Sequence, residues 1–150
     1  QKMDYVDIVG DIRDLSQFQD ESVEVVYASH VLEHVCQREM KPTLHGIHRI
    51  LKKDGLFYCS VPNMEILAKL LISEKLNPQQ KWHVMRMIFG GQTDKNDFHY
   101  FGWTLDFAKA FFGGAGFRNI KVVKSFNIFD DTSDYKPYGV QISLNLIAKK

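Results

Sequence analysis

The run Ala28-Ser29-His30-Val31-Leu32-Glu33-His34-Val35 packs two imidazoles and a carboxylate into one short stretch. Imidazole titrates near neutrality, so His30 or His34 suits general acid–base work. Glu33 could orient either ring, or could form a salt bridge or cap at the start of a polar turn. On a helix, positions four apart share a face, which would align His30 with His34. HxxxH with Cys36 nearby is also a zinc-like spacing. The glutamate of HExxH is absent, however, and no partner Cys or His is close in sequence, so no metal is expected. Two smaller polar groups follow other apolar runs: Asp11-Ile12 after Gly10, and Asn63 after Pro62. Asp97-Phe98-His99-Tyr100-Phe101 is unusually aromatic for a loop. His99 and Tyr100 there read as substrate-facing, or the segment reads as an aromatic plug.

Strands must bring these groups together. Tyr5–Val9 alternates and is β-branched, and Val23–Tyr27 has the composition of a strand buried on both faces. Asp14–Ser22 is a polar loop. Pro42 fits a first helical turn, and Leu44, Ile47 and Leu51 set a helix over Pro42–Lys52, stopped by Lys53-Asp54-Gly55 with Gly as left-handed cap. Leu56–Val61 is the next strand, and strand–helix–strand over so short a span is a parallel crossover. Asn63 caps a helix carrying Met64, Leu67 and Leu71, and Pro78 marks its end. The region 77–103 reads as an irregular lid or insert with one short helix near Trp82. Thr104 caps a helix with Leu105, Ala108 and Phe112 on one face. Phe117–Phe126 and the alternating Val140–Ala148 form an antiparallel pair joined by a loop with Asp130, Asp131, Asp134 and Pro137. Lys149-Lys150 reads as a solvated end. Asp11, Ser29–His34 and Asn63 thus follow successive strands, and in an open α/β sheet ligands bind just past the strands' carboxyl ends.

With 150 residues, 45% hydrophobic and 25% charged, the chain has the size and composition of one ordinary globular domain, here taken as 1–150. A net charge of +1 argues against nucleic acid or a membrane surface as electrostatic partner. No run approaches the ~20 apolar residues of a membrane helix. Cys36 and Cys59 read as free thiols in a reducing, cytoplasmic setting. The chain opens on Gln1 rather than Met, as if partway through a domain.

The chain resembles the class I S-adenosylmethionine-dependent methyltransferases, type 11-like, from the third strand of that fold onward. Gly10–Leu15, Ser22–Val35, His48–Gly55 and Ser60–Asn63 carry the likeness, with Gly102-Trp103-Thr104 and Ala115-Gly116-Phe117 later. Lys52-Lys53-Asp54-Gly55 stands where the family usually has Lys-Pro-Gly-Gly. A looser likeness, through the aromatic Asp-Phe-His segment, is to sequences associated with polysaccharide biosynthesis. The resemblance implies a three-layer Rossmann-like α/β sheet, mostly parallel with a C-terminal antiparallel strand pair. It implies S-adenosyl-L-methionine as cofactor, Asp11 and the Ile12 backbone at the adenine, and Ala28, Ser29 and His30 at the sulfonium end. His30, His34 and Glu33 become the catalytic candidates, and Asn63, His99 and Tyr100 the substrate side. The family's opening glycine-rich strand-turn and its second strand have no counterpart here. Cofactor binding is therefore expected to be weak or lost in this chain alone, and the open sheet edge to favour a homo-oligomer. The expected activity is methyl transfer to a small-molecule or saccharide acceptor, at oxygen. The alternative is a non-catalytic assembly module.

Overall fold

The computed structural model describes residues 7–150. Four strands form one open sheet: β1 (Val23–Ser29), β2 (Leu51–Pro62), β3 (Arg118–Val123) and β4 (Ser143–Lys149), in the order β1-β2-β4-β3. β1 and β2 pair in parallel across a helical crossover, and β4 runs antiparallel to both β2 and β3. The α/β sheet is therefore mixed, with the expected antiparallel pair at its C-terminal side. The predicted first strand is not seen: Tyr5 and Val6 lie outside the described residues, and Asp7–Val9 is not extended into a ladder.

Alternation sorts the strand residues into two faces. Val26, Ala28, Phe57, Cys59, Val61, Leu144, Leu146 and Ala148 join the main core. That face is covered by α1 (Gln37–Ile50), through Met40, Leu44 and Ile47, and by α4 (Leu105–Gly114), through Ala108 and Phe112. On the opposite face Phe126 and Phe129 set their edges on Tyr27 at 5.5 and 4.9 Å. The segment 124–142 is held to that face by polar contacts. Asn145 Nδ2 donates to the Lys124 and Ser133 carbonyls, and Ser60 Oγ donates to Asn145 Oδ1 at 2.7 Å. A second pair of helices, α2 (Met64–Leu71) and α3 (Pro78–Phe89), packs Leu67 and Val84 around Ile142.

Several boundaries differ from the sequence reading for identifiable reasons. α1 starts five residues earlier than Pro42, so that proline sits in the second turn, where only one early helical bond is lost. Pro78 begins a helix rather than closing one. Asn77 and Gln80 form a capping box, and proline suits the first helical position. Gly55 does not supply a left-handed cap, because Asp54 takes the positive φ of 64°. Glycine is needed at 55 for a different reason: a Cβ would lie 2.9 Å from the Lys52 carbonyl oxygen and 3.0 Å from that of Glu24. β1 is not buried on both faces, since it is the sheet's outer strand among the described residues, and Val25 is 49% exposed. Lys150 is not a solvated end. Its ammonium donates to the Leu51 and Arg49 carbonyls at 2.7 and 3.3 Å, satisfying the C-terminal end of α1. Lys149 pairs with Asp54 at 3.0 Å.

The two faces of α4 make opposite predictions. Phe112, fully buried, should cost about 3–5 kcal/mol on truncation to alanine. Phe107, half-exposed on the same helix, should cost less than about 1 kcal/mol. Denaturant unfolding of Phe112→Ala and Phe107→Ala measures both, and equal losses would contradict the packing.

Candidate functional site

β1 ends at Ser29, and His30 then turns the chain with a left-handed φ of 53°, uncommon for a residue bearing a side chain. Its backbone N–H still donates to Ser60 on β2 at 2.8 Å, which anchors the turn to the sheet. Both ring nitrogens are engaged. Nε2 lies 2.9 Å from Ser143 Oγ, whose hydroxyl donates to the Thr132 carbonyl, and Nδ1 lies 3.3 Å from Glu33 Oε1. His30 is thereby braced between β4 and the next turn.

That turn is a single 3-10 turn, Leu32–His34, fixed by the fully buried Leu32. Glu33 is only 1% exposed, and neither carboxylate oxygen has a hydrogen-bond partner among the described residues. Its carbonyl, by contrast, accepts from Tyr100 N at 2.8 Å and Phe101 N at 3.3 Å. The aromatic segment is thus laced directly onto the turn. Phe101 and Trp103 continue into the core against Phe111, while Phe98 and Tyr100 stack outside at 6.4 Å. Within this one segment, then, Phe101 and Trp103 pack inward while Phe98 and Tyr100 remain exposed. The stretch before it is shaped by Asp97, whose carboxylate accepts from Gly91 N, Thr93 N and Thr93 Oγ1. Gly90, at φ 85°, permits that closure, since a Cβ would collide with the Asp97 carbonyl.

His34 and His99 meet edge-to-face, ring centroids 4.8 Å apart. His34 Nδ1 faces the Phe98 carbonyl at 3.1 Å and His99 Nδ1 that of Met87 at 3.0 Å. Burial pushes the His99 ring's pKa down, opposed by the charge of Glu33.

Across from these rings lies the Asp11 turn. Arg13 grips the Asp11 carboxylate through Nε at 2.9 and 3.0 Å and through Nη2, and reaches Glu39 at 3.3 Å. Arg13 hydrogen bonds hold the Asp11 carboxyl below the usual carboxylate range. The loop beyond is pinned to α1 by Arg49, which donates to the Leu15 and Phe18 carbonyls at 2.8 and 2.9 Å.

Between the two sides opens a cleft of about 680 Å³, within the size range of small-molecule sites. Asp11, Ile12, Arg13, His30, His34 and Tyr100 line it, with Lys95 and Asn96 at the rim. The structure therefore gathers five of the sequence-selected residues in one place. Others stand apart. Ala28 is buried in the core, and the Ser29 hydroxyl is buried with no hydrogen-bond partner among the described residues. Asn63 spends its side-chain oxygen capping α2, accepting from Glu65 N at 3.1 Å, and does not line the cleft. Glu33 and His99 sit behind the wall rather than on it. Cys36 donates to Glu39 Oε2 at 3.0 Å, and burial raises the Cys59 thiol far above its ordinary pKa. No helix among the described residues is long and apolar enough to cross a membrane.

A family model described as a methyltransferase domain matches residues 1–59, the part holding Asp11, β1 and the His30–His34 turn. A S-adenosylmethionine-dependent methyltransferase from Archaeoglobus fulgidus superposes with a TM-score of 0.60 at 16% identity, over 95% of this chain and 66% of that one. A Thermotoga maritima S-adenosylmethionine-dependent methyltransferase, a possible histamine N-methyltransferase, gives 0.60 at 17% identity over 94% and 62%. The fold is that of the class I S-adenosylmethionine-dependent methyltransferases. Within it, the Burkholderia thailandensis 1,6-didemethyltoxoflavin-N1-methyltransferase, solved with 1,6-didemethyltoxoflavin and S-adenosylhomocysteine, also aligns, with a TM-score of 0.55 at 15% identity over 93% and 48%. The chain thus spans about half to two thirds of the length of these methyltransferases. No curated protein matches the sequence.

Sequence reasoning missed Arg13, Arg49, Lys95 and Asn96. Only Arg13 left a signal, as a cation two residues beyond a carboxylate. The Asp11–Arg13 clamp has a definite pH signature. A depressed native pKa means its stabilisation is complete above the ordinary value of about 3.8 and drains away as pH falls through the lowered one. Carboxyl NMR titration should place the Asp11 midpoint below 3.8, and Arg13→Ala should move it upward. An unmoved midpoint would contradict the clamp.

Proposed function

We propose that the cleft binds S-adenosylmethionine and serves methyl transfer to a small-molecule or saccharide acceptor, at oxygen. The observation that supports this most is the convergence of Asp11, His30, His34 and Tyr100 on one cleft past the carboxyl end of β1. The residues present fit one end of that cofactor. The Asp11 carboxylate is an acceptor suited to the exocyclic amine of adenine, provided it shares its oxygens with Arg13, and the Ile12 backbone lies beside it. When bound, the cofactor supplies an electrophilic methyl group on a sulfonium.

The chain's own residues would then position the acceptor. His34 faces the cleft with its Nδ1 turned to a carbonyl, which leaves Nε2 free to take a proton from an acceptor hydroxyl. His30, held at both nitrogens, orients the turn, and Glu33 holds it from behind. Tyr100 and His99 form the acceptor side, Tyr100 at the surface and His99 beneath it. Much of methyl transfer is positioning, so a rigid wall contributes as much as a base. Glycine-rich backbone that could approach the ribose and methionine parts closely is not found around the cleft among the described residues. Binding by this chain alone is accordingly weak.

Calorimetry with S-adenosylhomocysteine tests this reading. The chain should bind with a dissociation constant on the order of 1 mM, weakened further by Asp11→Ala. Fusion of a strand and Gly-x-Gly turn upstream should recover roughly micromolar binding. No binding in either form would favour the non-catalytic assembly module instead. A second reading concerns self-association: among the described residues β1 has an unpaired edge with Val25 exposed, so two copies are expected to pair there. Light scattering should show a dimer at micromolar concentration, and a monodisperse monomer would sink this idea.

A further inference from the structure

We propose that Glu33, His34 and His99 form a binding site for a divalent transition-metal ion, Zn²⁺ foremost, behind the wall of the cleft. One donor atom from each lies within 4.8 Å of the other two. Three features beyond proximity support a cation there.

The first is Glu33 itself. A carboxylate 1% exposed, with neither oxygen hydrogen-bonded among the described residues, is costly to bury unless a cation compensates it. His30 Nδ1, 3.3 Å from Oε1, answers for one oxygen at most. The second is the tautomer forced on both histidines. Carbonyl oxygens only accept, so His34 Nδ1 facing Phe98 and His99 Nδ1 facing Met87 must each carry the ring proton. Each Nε2 is then an unprotonated lone pair. A metal-ligating histidine is typically held this way, its other nitrogen donating to a backbone carbonyl. The third is the scaffold. Tyr100 N and Phe101 N bind the Glu33 carbonyl, and His99 N binds the Phe89 carbonyl at 3.1 Å, so the backbones bearing the three ligands are fixed to one another.

Two imidazoles and one carboxylate favour Zn²⁺ or a neighbouring first-row ion over Mg²⁺ or Ca²⁺, which prefer all-oxygen cages. Bonds of about 2.0–2.2 Å to such an ion would draw the donors closer together than the 4.8 Å within which they lie. Three protein ligands leave a further coordination position for water or another small ligand. Metal binding is a property of the folded chain and stands without the methyl-transfer reading. His34 Nε2 has a single lone pair, so ligating the ion and serving as base in the proposed methyl transfer are alternative roles for that nitrogen.

Titration of the purified chain with Co²⁺ and Zn²⁺, followed by Co²⁺ visible absorption and by calorimetry, tests the site directly. One ion per chain is expected, with binding weakened ~10-fold or more in Glu33→Gln and in His99→Gln. His83→Gln, remote from the cluster, should bind as the parent does. Thermal melts should show that the added ion raises the parent's unfolding temperature and not that of Glu33→Gln. Because a variant can fail to fold, imidazole NMR signals of the unaltered chain provide a second readout. Diamagnetic Zn²⁺ should shift those of His34 and His99 and leave His45 and His83 in place. Absence of binding overturns the proposal. So does binding that survives both ligand substitutions or that moves only the other histidines.

Discussion

One buried carboxylate organises this end of the molecule. Glu33 sits on a turn too short to be stable alone, and its burial is enforced by Leu32 beside it and the aromatic segment over it. Its carbonyl receives two N–H groups from that segment, while its side chain faces His30 and lies beside His34 and His99. An uncompensated charge at this depth would destabilise the turn, and of the imidazoles around it His30, 3.3 Å from Oε1, is the one placed as an ion-pair partner.

The cleft has one wall tied into the sheet and one held by local contacts. On the ordered side, β1, β2 and β4 converge: His30 donates to Ser60 through its backbone and meets Ser143 through its ring. On the other side the Asp11 turn depends on local clamps, Arg13 on Asp11 and Arg49 on the carbonyls of Leu15 and Phe18. No sheet pairing beyond the Asp11–Asp14 bridge supports that turn among the described residues. A ligand entering the cleft would meet a rigid histidine wall and a carboxylate held by a single arginine.

Periodic elements were readable in the sequence because their burial is periodic. Val140–Ala148 alternates, and its even positions from Ile142 onward enter the cores. Leu105, Ala108 and Phe112 mark one side of α4, and Asn63 and Thr104 act as caps where cap residues belong. Long-range contacts were not readable. That Lys150 closes the end of α1, or that Tyr100 N reaches Glu33, follows from tertiary approach and leaves no local pattern. The site was half readable for the same reason. His30, Glu33 and His34 are neighbours in sequence, whereas His99 joins them only through the fold, so a search for ligand spacing within one segment could not assemble the cluster. β1 shows the opposite failure: its composition is that of a central strand, yet its outer edge is open among the described residues.

The proposed ligand site unites the Asp11 turn and the His30–Val35 turn in one cleft. Backbone amide NMR of the chain titrated with S-adenosylhomocysteine tests this most directly. The account predicts that the signals of Ile12, Arg13, His30, Val31 and His34 move together along one binding curve, while those of the 124–139 segment on the far face stay fixed. Movement confined to the far face, or two independent curves for the two turns, would contradict it.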